Sequence, residues 1–243
     1  MTDHIIGKKE NPLISIVLNI VIPVFILKKG NNILTDVDFI FSINEQIVVL
    51  LVALSFPMIY FFIDLSLKKQ ANFISILGFV NVLLTGGIGV FGGMYGLSRI
   101  WFILKEGLMP LIIGLVFLFT IKKGNPLMRT FIYNEAIFNT GVINNKLNEI
   151  NKLSDFNKVL EKSSYLIVLA FFFSSIIQFV LASIIVKVDP GHTDFNDQVG
   201  TMTWVSYFVV MIPSLLMFGI SIYRMVMGIK ELTGFETEDF LNN

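Results

Sequence analysis

Long apolar stretches alternate with short polar ones along this chain, and they are too long for the core helices of a soluble protein. A bilayer hydrocarbon core of about 30 Å takes roughly 20 helical residues to cross. Six stretches approach that length: residues 12–27, 47–67, 71–93, 100–121, 164–186 and 202–227. Lipid offers no partners to the backbone of an open strand, so the pattern predicts helices throughout. The expected fold class is all-α: a single polytopic membrane domain over residues 1–243 with about six transmembrane helices. The first stretch has only 16 residues, bracketed by Lys8-Lys9 and Lys28-Lys29. Flanking lysine stems can make up the difference by reaching to the interface. Pro23, Pro57, Pro110 and Pro213 fall inside spans, where they kink helices.

Residues 122–163 form the one long connection and read as an amphipathic segment. Leu127, Met128, Phe131, Ile132 and Phe138 recur at three- and four-residue spacing, which predicts a short helix in the headgroup region. Leu147, Ile150, Leu153 and Leu160 then make an apolar stripe opposed by Asn148, Glu149, Asn151, Lys152 and Lys158. The fifth helix is therefore expected to begin near Asn144 and to enter the membrane near Ser164.

Composition agrees. Charged residues are 15% of the chain and hydrophobic residues 54%, with a mean hydropathy of +0.76. A soluble domain carries about 25% charged residues, so a soluble two-domain enzyme is excluded. Lys+Arg and Asp+Glu each total 18, and no net charge points to nucleic acid. There is no cysteine, hence no disulfide framework, zinc thiolate site or iron–sulfur cluster. Six spans put 13 basic residues on the side of the termini and 4 on the other, with Lys105 inside a span. That asymmetry places both termini in the cytoplasm. The first helix lacks a small-residue cleavage site and reads as an uncleaved span.

Little in the chain looks like chemistry. Gly87-Ile88-Gly89-Val90-Phe91-Gly92 matches GxGxxG in letters but lies at the end of an apolar span, without the preceding strand a dinucleotide site needs. Gly86, Gly87, Gly89 and Gly93 are better suited to close helix packing, since small residues one turn apart let backbones approach in lipid. Asp189, His192, Asp194 and Asp197 share a loop. The EF-hand pattern fails there, because its glycine position falls on Val199. The loop reads as a turn at Asp189-Pro190-Gly191, a cap at Thr193 and acidic residues at a helix start, with no metal. No nucleophile–base or metal-protease motif is present, so neither an enzyme nor a cofactor is expected.

The polar residues within spans are the remaining candidates: Asn19, Asn81, Lys105 and Glu106. A charge at a helix centre costs about 2.5–3.5 kcal/mol on insertion scales. Lys105 is expected to snorkel outward. Glu106, with its shorter stem, then requires donors from other helices, with Asn19 the best placed and Asn81 next. Such a carboxylate either ties helices together or faces a cavity that conducts a polar solute.

In order along the chain, Asn19-Ile20-Val21-Ile22-Pro23-Val24, Leu84-Thr85-Gly86-Gly87-Ile88-Gly89, Trp101-Phe102-Ile103-Leu104-Lys105-Glu106 with Pro110, Gly124-Asn125-Pro126-Leu127-Met128-Arg129 and Asp189-Pro190-Gly191 make a pattern. The pattern resembles the intracellular septation protein A family of bacterial inner-membrane proteins, including its longer relatives. The resemblance implies a multi-pass protein of the bacterial inner membrane, linked to envelope integrity and septation and with no settled biochemical activity. Its partners would be the lipid bilayer and envelope or division proteins, or further copies of the chain. The loop at 122–163 and the outer loop before the last span are longer than in the short family members. The competing expectation is a small oligomeric transporter or channel for a polar solute, although no internal repeat supports it.

Overall fold

The computed structural model describes residues 17–33, 45–68, 73–124, 127, 129, 132, 133, 135 and 137–241. Most of these residues are helical and none forms a strand; one isolated antiparallel bridge joins Phe138 to Leu241. A π-helical turn, Val17–Val21, leads into α1 (Ile22–Ile33). Next come α2 (Glu45–Lys68), α3 (Phe73–Tyr95) and α4 (Ile100–Lys122). A short α5 (Thr140–Glu149) precedes the longest helix, α6 (Leu153–Ile185). Finally α7 (Phe195–Ser206), a π-helical turn Tyr207–Met211 and α8 (Ile212–Thr233) run on as one rod.

Among the described residues, four runs are long and apolar enough to cross a membrane: Glu45–Ile63, Ile100–Lys122, Leu153–Ile185 and Phe195–Thr233. They contain the spans expected at 47–67, 100–121, 164–186 and 202–227, apart from the last four residues of the first and Val186 of the third. Within α3, which covers most of the span expected at 71–93, Phe79–Tyr95 is a further apolar run. The span expected at 12–27 lies partly outside the described residues. Its described part does not stop at Leu27 but continues to Ile33. In this extension the exposed Lys28 Nζ donates to Thr201 Oγ1 at 2.9 Å and lies 3.8 Å from Asp197.

Both π-turns have a local cause. Proline lacks an N–H and its ring crowds the carbonyl four residues earlier. Pro23 stands four residues after Asn19 and Pro213 four after Val209, each the middle residue of its π-turn. One extra residue in the turn gives that carbonyl room.

The chain groups into two compact units whose boundaries fall within α4, α6 and the α7–α8 rod. The first, residues 1–106 and 179–208, has Leu50, Ala53, Phe102, Val186, Phe195 and Met202 in its core. Its α2–α3 hairpin is packed through glycines. A Cβ at Gly86 would lie 3.0 Å from Leu54, at Gly89 2.0 Å from Leu50, and at Gly93 3.4 Å from Ile47. One helix ascends this series as the other descends it, which is the signature of antiparallel packing at backbone contact. Gly87 contradicts the packing role expected of it. A Cβ there would meet nothing within 4 Å, because it sits one position off the face that Gly86, Gly89 and Gly93 share.

The second unit, residues 107–178 and 209–243, is tied internally by serines. Ser174 Oγ meets Ser214 Oγ at 2.8 Å, Ser221 Oγ donates to the Ser163 carbonyl and Ser175 Oγ to the Gly107 carbonyl, each at 2.7 Å. Such bonds between helices replace the hydrophobic drive that lipid does not supply. The hydrophobic core of this unit includes Tyr133, Phe138, Ile143, Leu147, Phe156 and Phe240, all buried. Phe240 stacks on Phe138, and the Asn139 amide donates to the Phe240 carbonyl at 2.8 Å, pinning the chain end to this core.

Here the sequence expectation needs correction. The fifth helix does not begin near Asn144. Thr140–Glu149 is a separate helix, capped by Asn139 Oδ1 on the Val142 amide, and the chain turns at Ile150–Lys152 with Asn151 at φ 55°. The turn shifts the helical phase, so Ile143 and Leu147 are buried from one helix and Phe156 and Leu160 from the next. Leu153, expected in the stripe, is exposed. Of the helix expected over Leu127–Phe138, Met128 and Phe131 lie outside the described residues. Ile132 and Phe138 are buried in this core.

Candidate functional site

Asn81 and Thr85 are four residues apart on α3 and so share a face. Lys105 on α4 meets them both. Its Nζ donates to Thr85 Oγ1 at 2.7 Å and to Asn81 Oδ1 at 3.0 Å, and lies 2.6 Å from Glu106 Oε1. An ammonium has three N–H donors, and three oxygens surround this one. Thr85 Oγ1 in turn donates to the Asn81 carbonyl at 2.9 Å, which closes the network on α3. Phe102, one turn before Lys105, places its ring 5.0 Å from the ammonium and is itself held edge-on by Phe195.

Lys105 therefore does not snorkel. Its side chain is only 4% exposed, against 17% for Glu106. It stands five residues into α4, ~8 Å along the axis, while Thr85 and Asn81 stand ten and fourteen residues before the end of α3, at ~15 and ~21 Å. The ammonium thus reaches away from the connecting loop and toward the interior of the hairpin. The cost of burying it is offset by the adjacent carboxylate and two neutral oxygens. The donor shown for the Glu106 carboxylate is Lys105, its neighbour in sequence. Asn19 sits half-buried in the first π-turn.

Sequence reasoning found Asn81, Lys105 and Glu106 but missed Thr85 and Phe102. Both carried a signal: Thr85 follows Asn81 by one turn, and Phe102 precedes Lys105 by one turn. Pro110 adds a local weakness, since it has no N–H for the Glu106 carbonyl.

The loop before α7 belongs to the same unit. Asp189 Oδ1 accepts from the Arg99 amide at 2.7 Å, and the Arg99 guanidinium donates to the Lys187 carbonyl. A Cβ at Gly92 would lie 2.5 Å from Pro190, and one at Gly191 2.8 Å from Gly93 Cα. Gly92, not Gly87, thus completes the packing set. Gln198 Oε1 accepts from the Lys187 and Val188 amides. The helix starts after Asp194 rather than being capped by Thr193. Asp189 and Asp197 already have cationic or amide partners, and among the described residues no three His, Asp or Glu side chains converge on a metal position.

No family model, curated protein or solved structure matches the chain.

Proposed function

We propose that the chain is a six-span protein of the bacterial inner membrane, with both termini in the cytoplasm. In this reading it supports envelope integrity or septation through protein or lipid partners and without catalysis. The observation that carries the reading is the meeting of the stretches on which the family resemblance rests. Thr85 of one stretch binds Lys105 of another, and Asp189-Pro190-Gly191 sits on Gly92, Gly93 and Arg99 in the connection between them.

Interfacial markers support the membrane placement. Along α4, Trp101 and Lys122 are 21 residues apart; along α6, Tyr165 and Ile185 are 20 apart; along the last rod, Trp204 and Tyr223 are 19 apart. Intervals of about 20 residues are the length of helix that a hydrocarbon core requires. The four aromatic markers are exposed, as a membrane-interface belt requires. The closed cluster at Lys105 favours a helix tie over a solute path, because each ammonium donor is already used by the protein.

The test is a strain lacking the protein. Raised sensitivity to detergent or aberrant septa, restored by the wild-type chain, is the expected result. A deletion strain with a normal envelope and normal division under both stresses overturns the reading.

A further inference from the structure

A groove of about 530 Å3 opens in the second unit, within the ~300–1,000 Å3 typical of small-molecule sites. One wall is α5, where Thr140, Asn144 and Asn148 follow at intervals of one turn, on the flank beside buried Ile143 and Leu147. Arg129, Tyr133 and Glu135 line it from the preceding segment, and Leu153 forms its apolar edge.

The polar groups are held in set orientations. The Tyr133 hydroxyl donates to Asn144 Oδ1 at 3.0 Å, which leaves the Asn144 amide N–H groups as donors. Burial pushes the Tyr133 hydroxyl up to about 12; Arg129 pulls it down and Glu135 adds to the rise. The phenol is thus a neutral donor at physiological pH. Arg129 Nη2 donates to Asn157 Oδ1 on α6 at 2.6 Å, whereas the Glu135 carboxylate accepts from Thr140 Oγ1 on α5. The single cation and the single anion of the groove are anchored to different helices.

We infer that this groove binds a small water-soluble zwitterion carrying a carboxylate and an ammonium, the chemistry of a free amino acid. The carboxylate meets the remaining N–H groups of Arg129 with the amides of Asn144 and Asn148, and the ammonium meets Glu135. A simple anion would confront Glu135, and a simple cation Arg129, so a ligand of both charges balances the site. The same pair of charges occurs in a phosphatidylserine headgroup. However, Leu153 is twelve residues before Tyr165, ~18 Å along α6 from the membrane marker. A headgroup at the interface does not span that distance. The inference is independent of the envelope role and rests on the proposed membrane placement only where it sets a lipid headgroup aside.

The experiment is calorimetric titration of the full-length protein in phosphatidylcholine nanodiscs with each of the common L-amino acids, repeated in nanodiscs containing phosphatidylserine. Saturable binding of at least one polar amino acid in both lipids is expected. Arg129→Gln and Glu135→Gln should each weaken it about tenfold or more, with unchanged melting temperature. Asn148→Ala, at an exposed position, should fold normally and weaken it less. The matching carboxylic acid without its amine should lose its dependence on Glu135. The inference is overturned by no saturable binding of any amino acid, by binding indifferent to all three substitutions, or by a heat present only with phosphatidylserine.

Discussion

Lys105 Nζ donates to Thr85 Oγ1 at 2.7 Å, so the cation of α4 is held by an uncharged side chain of α3 while its countercharge, Glu106, comes from the next residue on its own helix. The ion pair neutralises the charge, and the hydrogen bonds to Thr85 and Asn81 tie the two helices. These are separable roles. Lys105→Met should leave the Glu106 carboxylate unpaired in a low-dielectric setting and cost about 3–5 kcal/mol. Lys105→Met with Glu106→Gln should recover most of that loss, because nothing charged is left stranded. Melting of the three proteins in one detergent checks this. A double variant no more stable than the single one would falsify the pairing account.

The glycine face of α3 gives a positional prediction. Gly89→Leu collides with Leu50, and Gly92→Leu with Pro190. Each should destabilise the protein by about 1–3 kcal/mol or more. Gly87→Leu meets open space and should melt like the wild type. Equal tolerance at all three positions would show that this face is turned to lipid.

How much of this was legible in the sequence depends on the range of the interaction. The four long apolar runs were readable because length and composition within one segment decide whether a helix can cross a bilayer. Gly86, Gly89 and Gly93 were readable as a repeated face, but Gly87 was included with them because letters alone do not fix which side of the helix meets α2. What Gly92 packs against was not readable, because its partner, Pro190, is 98 residues away. The direction of Lys105 was misread for the same reason: its acceptors lie on another helix, and an isolated lysine would indeed do better at the interface. The break before α6 turned on one residue, Asn151, whose left-handed backbone leaves no apolar pattern to read.

Tyr133 makes stability pH-dependent at the alkaline end. Its hydroxyl is raised from 10.0 to about 12 in the fold. The folded state therefore keeps a proton that the unfolded chain releases. This contribution is fully present below pH 10 and is lost as pH rises from about 10 to about 12. Melting temperature across that window should fall less steeply in Tyr133→Phe than in the wild type. Identical slopes would mean that Tyr133 is not what the fold protects.

Topology is open to a direct chemical check, since the chain has no cysteine of its own. With Asp194→Cys and Lys152→Cys made separately, an impermeant thiol reagent added to intact cells should label position 194 and spare position 152. The reverse result would invert the orientation proposed from the basic-residue asymmetry.

The most direct test of the central claim, that Lys105 and Glu106 serve the fold rather than a transported solute or proton, is complementation by the uncharged pair. A deletion strain carrying Lys105→Met with Glu106→Gln is scored for detergent resistance and septum placement, with membrane levels of the protein measured in parallel. The account predicts a protein present at near wild-type level that restores the envelope. A protein equally abundant and correctly folded that restores nothing would contradict it, because the ionisable groups would then be needed for more than holding α3 against α4.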